Sequence, residues 1–178
     1  TFESSEREDW HYTPRRRPGV TLADLNRSQR ELGWDLMRAA LSEVGYDKAR
    51  SVILLEGILG EISGRPGYRD PENYAFVFFG QPGADSPWGW RFEGHHLSLS
   101  FTVAPDHGIA FTPAFLGANP AVVPEGHRRA GWRVLDQEHE LAFRLMGMLD
   151  RSQRHAAVIT DLPWGDIVTA PGREHRLD

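Results

Sequence analysis

The segment Trp88-Gly-Trp-Arg-Phe-Glu-Gly-His-His-Leu-Ser-Leu-Ser-Phe-Thr-Val103 concentrates the groups able to do chemistry. It holds one carboxylate, Glu93, and two adjacent imidazoles, His95 and His96. A neutral imidazole binds metal or moves protons, and a carboxylate beside it serves as ligand or orienting partner. Read as one extended strand, the segment puts residues two apart on a common face. Glu93, His95, Leu97, Leu99, Phe101 and Val103 then share one face; Phe92, Gly94, His96, Ser98 and Ser100 share the other. Glu93 and His95 lie side by side at the end of an apolar row. His96 points away from them unless Gly94 introduces a bulge. A regular strand cannot bring both imidazoles to one metal ion, whereas a bulge can. The same pattern also describes a purely structural Glu–His hydrogen bond.

Glu56 is the second candidate. It lies between Leu54-Leu55 and Ile58-Leu59 in a helical pattern, near a stripe of Ala49, Val52, Ile53 and Leu59. Facing inward, its carboxylate needs a partner or loses its charge; a lateral position reaching solvent is the alternative. His11 stands between Trp10 and Tyr12, where it either completes a site from an N-terminal arm or caps a groove. Glu93 and Glu56 are therefore the candidate catalytic carboxylates, and His95, His96 and His11 the candidate metal ligands. His107 reads as a turn residue, and His127, His139 and His155 as surface residues. Ser98 and Ser100 alternate with Leu97 and Leu99, as on a strand with one polar face. The sequence has no phosphate-binding glycine loop, no Gly-x-Ser-x-Gly elbow and no His-Glu-x-x-His motif.

The elements that must position these groups follow from periodicity. Residues 1–20 form a polar arm with Arg15-Arg16-Arg17 before Pro18-Gly19, and Trp10 and Tyr12 predict that it docks on the body. A helix opens at Asn26 with Gln29 as capping-box partner, continues through Leu32, Leu36, Ala39, Ala40 and Val44, and stops at Gly45. A second helix runs from about Asp47 to Ile62, giving a helical hairpin over residues 21–64. Strands fall within residues 72–111: Tyr74–Phe79, the long Trp88–Val103, and Ile109–Phe111. Trp88, Trp90 and Phe92 make an aromatic row that either fills the core or lines an apolar pocket. Residues 112–135 read as structured loop, 136–160 as helical with Leu141, Leu145 and Met148 on one face, and 161–178 as an irregular tail. The expectation is a single α+β domain: an N-terminal helical hairpin, an antiparallel sheet with a long central strand, and a C-terminal helix.

The 178 residues suffice to bury a core without staples. With no cysteine, the chain has no disulfide, thiolate ligand or cysteine nucleophile, so any metal rests on His and carboxylate donors. Such donors do not separate zinc, iron and copper. The balance of 20 basic against 25 acidic residues, net −5, argues against a dedicated nucleic-acid partner. No apolar run reaches the length of a membrane span. No signal peptide is visible and the first residue is Thr, so a processed or truncated start is expected and compartment stays open.

The run Trp88-Gly-Trp-Arg-Phe-Glu-Gly-His-His-Leu-Ser-Leu99 resembles the hallmark of the Domain of Unknown Function 3500 family of bacteria and fungi. Further matching stretches include Trp10-His-Tyr-Thr-Pro14, Leu55-Glu56, Arg69-Asp-Pro71, Phe115-Leu-Gly-Ala-Asn-Pro120 and Gln153-Arg154, so the resemblance covers nearly the whole chain. It carries no settled activity. It gives weight to His11, Glu56, Glu93, His95, His96 and Asn119, and it implies a longer pattern whose C-terminal half, with an Asn-His-x-His-type segment, is missing here. The leading expectation is a metal-dependent, enzyme-like protein acting on a small or apolar molecule, with a divalent transition metal on His95 and His96 helped by Glu93, Glu56 or His11. The rival is a non-catalytic ligand-binding or assembly module, such as a homo-oligomer, in which the His/Glu cluster is structural.

Overall fold

The computed structural model describes residues 1–162 and Ile167. Helix α1 (Arg27–Ala40) opens at Asn26, whose side chain accepts the Gln29 N–H while the Gln29 side chain accepts the Asn26 N–H. Helix α2 (Glu43–Ser63) opens at Ser42, whose Oγ accepts the Gly45 N–H, and closes at Gly64 with φ 66°. The break between the helices therefore falls at Leu41-Ser42. Gly45, expected to end the first helix, lies instead in the first turn of the second. A good N-cap at Ser42 satisfies an otherwise orphaned amide and outweighs the glycine's preference for a helix end.

Five strands form one antiparallel sheet in chain order: β1 (Val20–Thr21), β2 (Ala75–Phe79), β3 (Trp88–Gly94), β4 (Leu97–Ala104) and β5 (Gly108–Leu116). The α+β class, with N-terminal helices, antiparallel sheet and C-terminal helix, is the one the sequence implies. One feature differs. The segment read as a single long strand is a hairpin, β3 and β4, with Gly94 opposite Leu97 and only His95-His96 between them. A two-residue turn reverses the parity of every following side chain. Glu93 consequently faces Ser98, and Arg91 faces Ser100, while Phe92 lies opposite Leu99 and Trp90 opposite Phe101. Glu93 and His95 are thus not neighbours on one strand face.

Two residues make that turn. Gly94 lies directly under the Tyr74 ring, where a Cβ would fall among the ring atoms. His96 takes φ 58°, a left-handed conformation that non-glycine residues seldom adopt. Its amide donates to the Tyr12 carbonyl and its own carbonyl accepts the Gly117 N–H, both at 2.8 Å, so three chain segments hold the conformation.

The apolar face of the sheet meets the helices. Trp34 of α1 stands edge-on to Phe92 at 5.8 Å, and the Phe76 ring fits against Gly33. Ring pairs cross the sheet: Phe76 is tilted on Phe92 at 4.4 Å, while Trp90 stacks on Phe101 at 4.2 Å and Phe101 on Phe111 at 4.5 Å. Trp90 and Phe92 are buried, so the aromatic row fills the core rather than lining a pocket. Each fully buried ring contributes about 1.5–3 kcal/mol by transfer. The polar face of the sheet is covered by the N-terminal arm: Arg91 donates to the carbonyls of Glu6 and Arg7, and Trp10 and Tyr12 pack on Phe115.

Chain contacts divide the protein into residues 1–134, which hold everything above, and 135–178. The second unit contains α3 (Asp136–Met148) and α4 (Arg151–Ala157), the latter opened by an Asp150–Gln153 capping box. The tail expected over 161–178 lies almost wholly outside the described residues. Among the described residues no helix is long and apolar enough to cross a membrane.

Gly94→Ala drives a methyl into a buried aromatic ring and is expected to lower stability by about 1–3 kcal/mol. Gly67→Ala, which meets open space, is expected to stay within about 0.5 kcal/mol of the parent. Urea unfolding of the two variants beside the parent measures both.

Candidate functional site

Two clusters of ionisable groups flank the β3–β4 turn. The first is centred on Glu93. Its Oε1 accepts from Arg17 Nε at 3.0 Å; its Oε2 accepts from the His11 amide at 2.8 Å and from Ser98 Oγ at 3.0 Å. Arg91 Nε lies 3.2 Å from the same oxygen. The side chains of Glu93, Arg17 and Arg91 are 2%, 2% and 1% exposed, so all three charges are out of water. Arg17 also donates to the carbonyls of Thr13, Gly94 and Arg15. Burial lowers the pKa of both arginines, and the Glu93 charge opposes that shift. Both oxygens of this carboxylate accept from protein groups. These contacts fasten the arm to the sheet.

The second cluster joins helix to turn. Glu56 of α2 and His95 come from positions 39 residues apart, and Glu56 Oε2 lies 2.5 Å from His95 Nδ1. Both side chains are nearly buried, at 4% and 9% exposure. Arg69, from the loop before β2, places Nη1 at 3.2 Å from both ring nitrogens of His95 and 3.9 Å from Glu56 Oε1. The Tyr74 hydroxyl donates to the His95 carbonyl at 2.8 Å, and burial pushes its pKa well up, so it stays a donor. The His96 ring stacks on His95 with centroids 4.0 Å apart. The two imidazoles are therefore on one side of the turn, contrary to the opposite projection expected from a straight strand. Desolvation, with the neighbouring His95 and Arg69 adding to it, lowers the His96 pKa to about 4. Its Nδ1 is buried without a hydrogen-bond partner.

Of the five candidate residues, the structure thus unites Glu56, His95 and His96. Glu93 belongs to the separate arm cluster. His11 reaches Glu93 through its main chain only; its ring stacks on Tyr12 at 5.5 Å and its Nδ1 accepts from Thr13. Its pKa is lowered by partial burial and then by Arg15 and Arg17. Among the described residues, no three His, Asp or Glu side chains are grouped to hold a metal ion. Sequence reasoning missed Arg17, Arg69, Arg91 and Tyr74. Arg17 was hidden in a run of three arginines, and Arg69 in a turn-rich loop. Arg91 did carry a signal: it alternates with buried aromatics beside Glu93.

His96 binds a proton less readily folded than unfolded, where its pKa is near 6.5. Its contribution to stability is complete above pH 6.5 and is lost as the pH falls through about 4. His96→Asn keeps a residue tolerant of positive φ and removes the titration. Urea midpoints from pH 7.5 to 4.5 are expected to fall less steeply for the variant than for the parent, His11 leaving a residual slope.

Neither the curated proteins nor the solved structures contain a match to this chain. The model of a family described as proteins of unknown function, DUF3500, matches residues 1–177. With that match spanning essentially every residue, the chain belongs to the DUF3500 family.

Proposed function

We propose that the first unit is enzyme-like, with Glu56 and His95 as an acid–base pair acting on a small molecule. The observation that carries this reading is the buried contact between a helix carboxylate and an imidazole on a strained turn, with a guanidinium beside the ring. A carboxylate at one ring nitrogen fixes the orientation of an imidazole and leaves the other nitrogen to act as the base. Arg69 supplies the positive charge that a developing oxyanion requires. The reaction that suits these parts is hydrolysis of an ester-like bond at an electron-poor carbonyl. His95 takes a proton from water, the hydroxide bonds to the carbonyl carbon, the bond to the leaving group breaks, and the proton passes to that group.

A second reading has its own observation. The Nδ1 of His96, beside His95, is buried without a hydrogen-bond partner, and a divalent transition metal held by the two imidazoles, with solvent oxygens completing its shell, would use that lone pair. Zinc, iron and copper all accept such donors, and a bound ion would serve to activate water.

Hydrolysis of p-nitrophenyl acetate by the parent, Glu56→Gln and His95→Gln, each with and without chelator, tests both readings. The expected result is folded variants with turnover reduced about 10²-fold or more. Chelator sensitivity together with stoichiometric metal by elemental analysis selects the metal-assisted form. Turnover equal in all three folded proteins, or loss of the fold in both variants without any turnover in the parent, returns the pair to a structural role.

A further inference from the structure

A groove of about 300 Å³ lies on the opposite side of α2 from its sheet-facing carboxylate, between α1, the loop before β2 and the loop that carries Arg128. Its apolar lining includes the buried Ile53 and Ile58 with Pro71, and its charged lining is Arg30, Arg50 and Arg128 with Glu61 and Glu72. The charges do not cancel. Arg30 is paired with Glu72 at 2.6 Å, and Glu61 is taken by His127 at 3.1 Å. Arg50 and Arg128 have no carboxylate partner among the described residues.

The Arg50 guanidinium is held in place, and Arg128 projects from a braced loop. Arg50 lies over the Trp34 ring, 4.1 Å from its centroid. That contact fixes the plane of the guanidinium and leaves its N–H edge unused. Arg128 follows His127, whose Nε2 contacts Glu61 and whose Nδ1 accepts the Arg129 N–H. The loop is further closed by hydrogen bonds from Val123 to Trp132 and from Gly131 to Val123. A positive, apolar-lined groove on a chain of net charge −5 is a local reversal of the protein's field, and such clefts concentrate ions of opposite sign. Its volume lies at the small end for ligand sites. Guanidinium forks match the two oxygens of a carboxylate or phosphate.

We infer that this groove binds a small organic anion, a carboxylate or phosphate group on a compact apolar body, with Arg50 and Arg128 gripping the charge. The inference is independent of the Glu56–His95 chemistry and stands or falls without it.

Isothermal titration of the full chain at low salt with benzoate, phenyl phosphate and uncharged benzyl alcohol tests it. At least one anion is expected to bind ten-fold or more tightly than benzyl alcohol, and the tighter anion names the headgroup. Arg50→Gln and Arg128→Gln, both at exposed positions and checked for fold by circular dichroism, are each expected to weaken that binding about ten-fold. Added salt is expected to weaken it as well. Anions that bind no better than benzyl alcohol, or binding unchanged in both variants, overturn the inference.

Discussion

The structure of the first unit depends on one buried carboxylate. Glu93 accepts three hydrogen bonds and faces two guanidiniums in a layer that water does not reach. A charge so placed is tolerable only while paired, and removing one partner of such a set costs several kcal/mol because the others stay buried. The partners come from the arm and from β3 and β4. Arg17 and the His11 amide belong to residues 1–20, which would otherwise be a polar tail. The arm therefore cannot leave the sheet without stranding Glu93 and Arg91. Its docking in turn supplies the Tyr12 carbonyl that receives the His96 amide.

The consequence reaches the second cluster through the turn. His96 holds a left-handed backbone conformation because Tyr12 and Gly117 bracket it. Gly94 allows the Tyr74 ring to lie over the strand, and the Tyr74 hydroxyl then fixes the His95 carbonyl. With both ends of the turn pinned, His95 is presented to Glu56 at the end of the β3–β4 hairpin. Strain and burial concentrate at this turn, and such sites are where proteins keep chemistry. Helix α2 has two roles: Glu56 meets the turn, while Arg50, Ile53 and Leu54 line the basic groove.

Much of this was legible in the residues. Capping residues marked the start of α1, alternation marked the strands, and the stripe of α2 left Glu56 open to either an inward or a lateral position. The run around Glu93, His95 and His96 identified the region where ionisable groups meet. What alternation could not show was the hairpin. Trp88–Val103 alternates well enough to read as one strand, and the His-His turn lacks the Asn-Gly or Gly-Gly signature that usually marks a two-residue connection. A single missed turn inverts the facing of all later residues, so Ser98 rather than His95 became the neighbour of Glu93. The arginines were illegible for a different reason. Their partners are backbone carbonyls, carboxylates and an imidazole up to 85 residues away in the chain, and no local pattern records a contact of that range.

The central claim is that Glu93 fastens the arm and, through it, the turn that carries His95 and His96. Amide hydrogen exchange on Glu93→Gln tests it most directly. The account predicts that protection at His11 and His96 collapses together, while the interior of α2, from Val52 to Leu59, keeps its protection. Unchanged protection at His96 once His11 is released would contradict it.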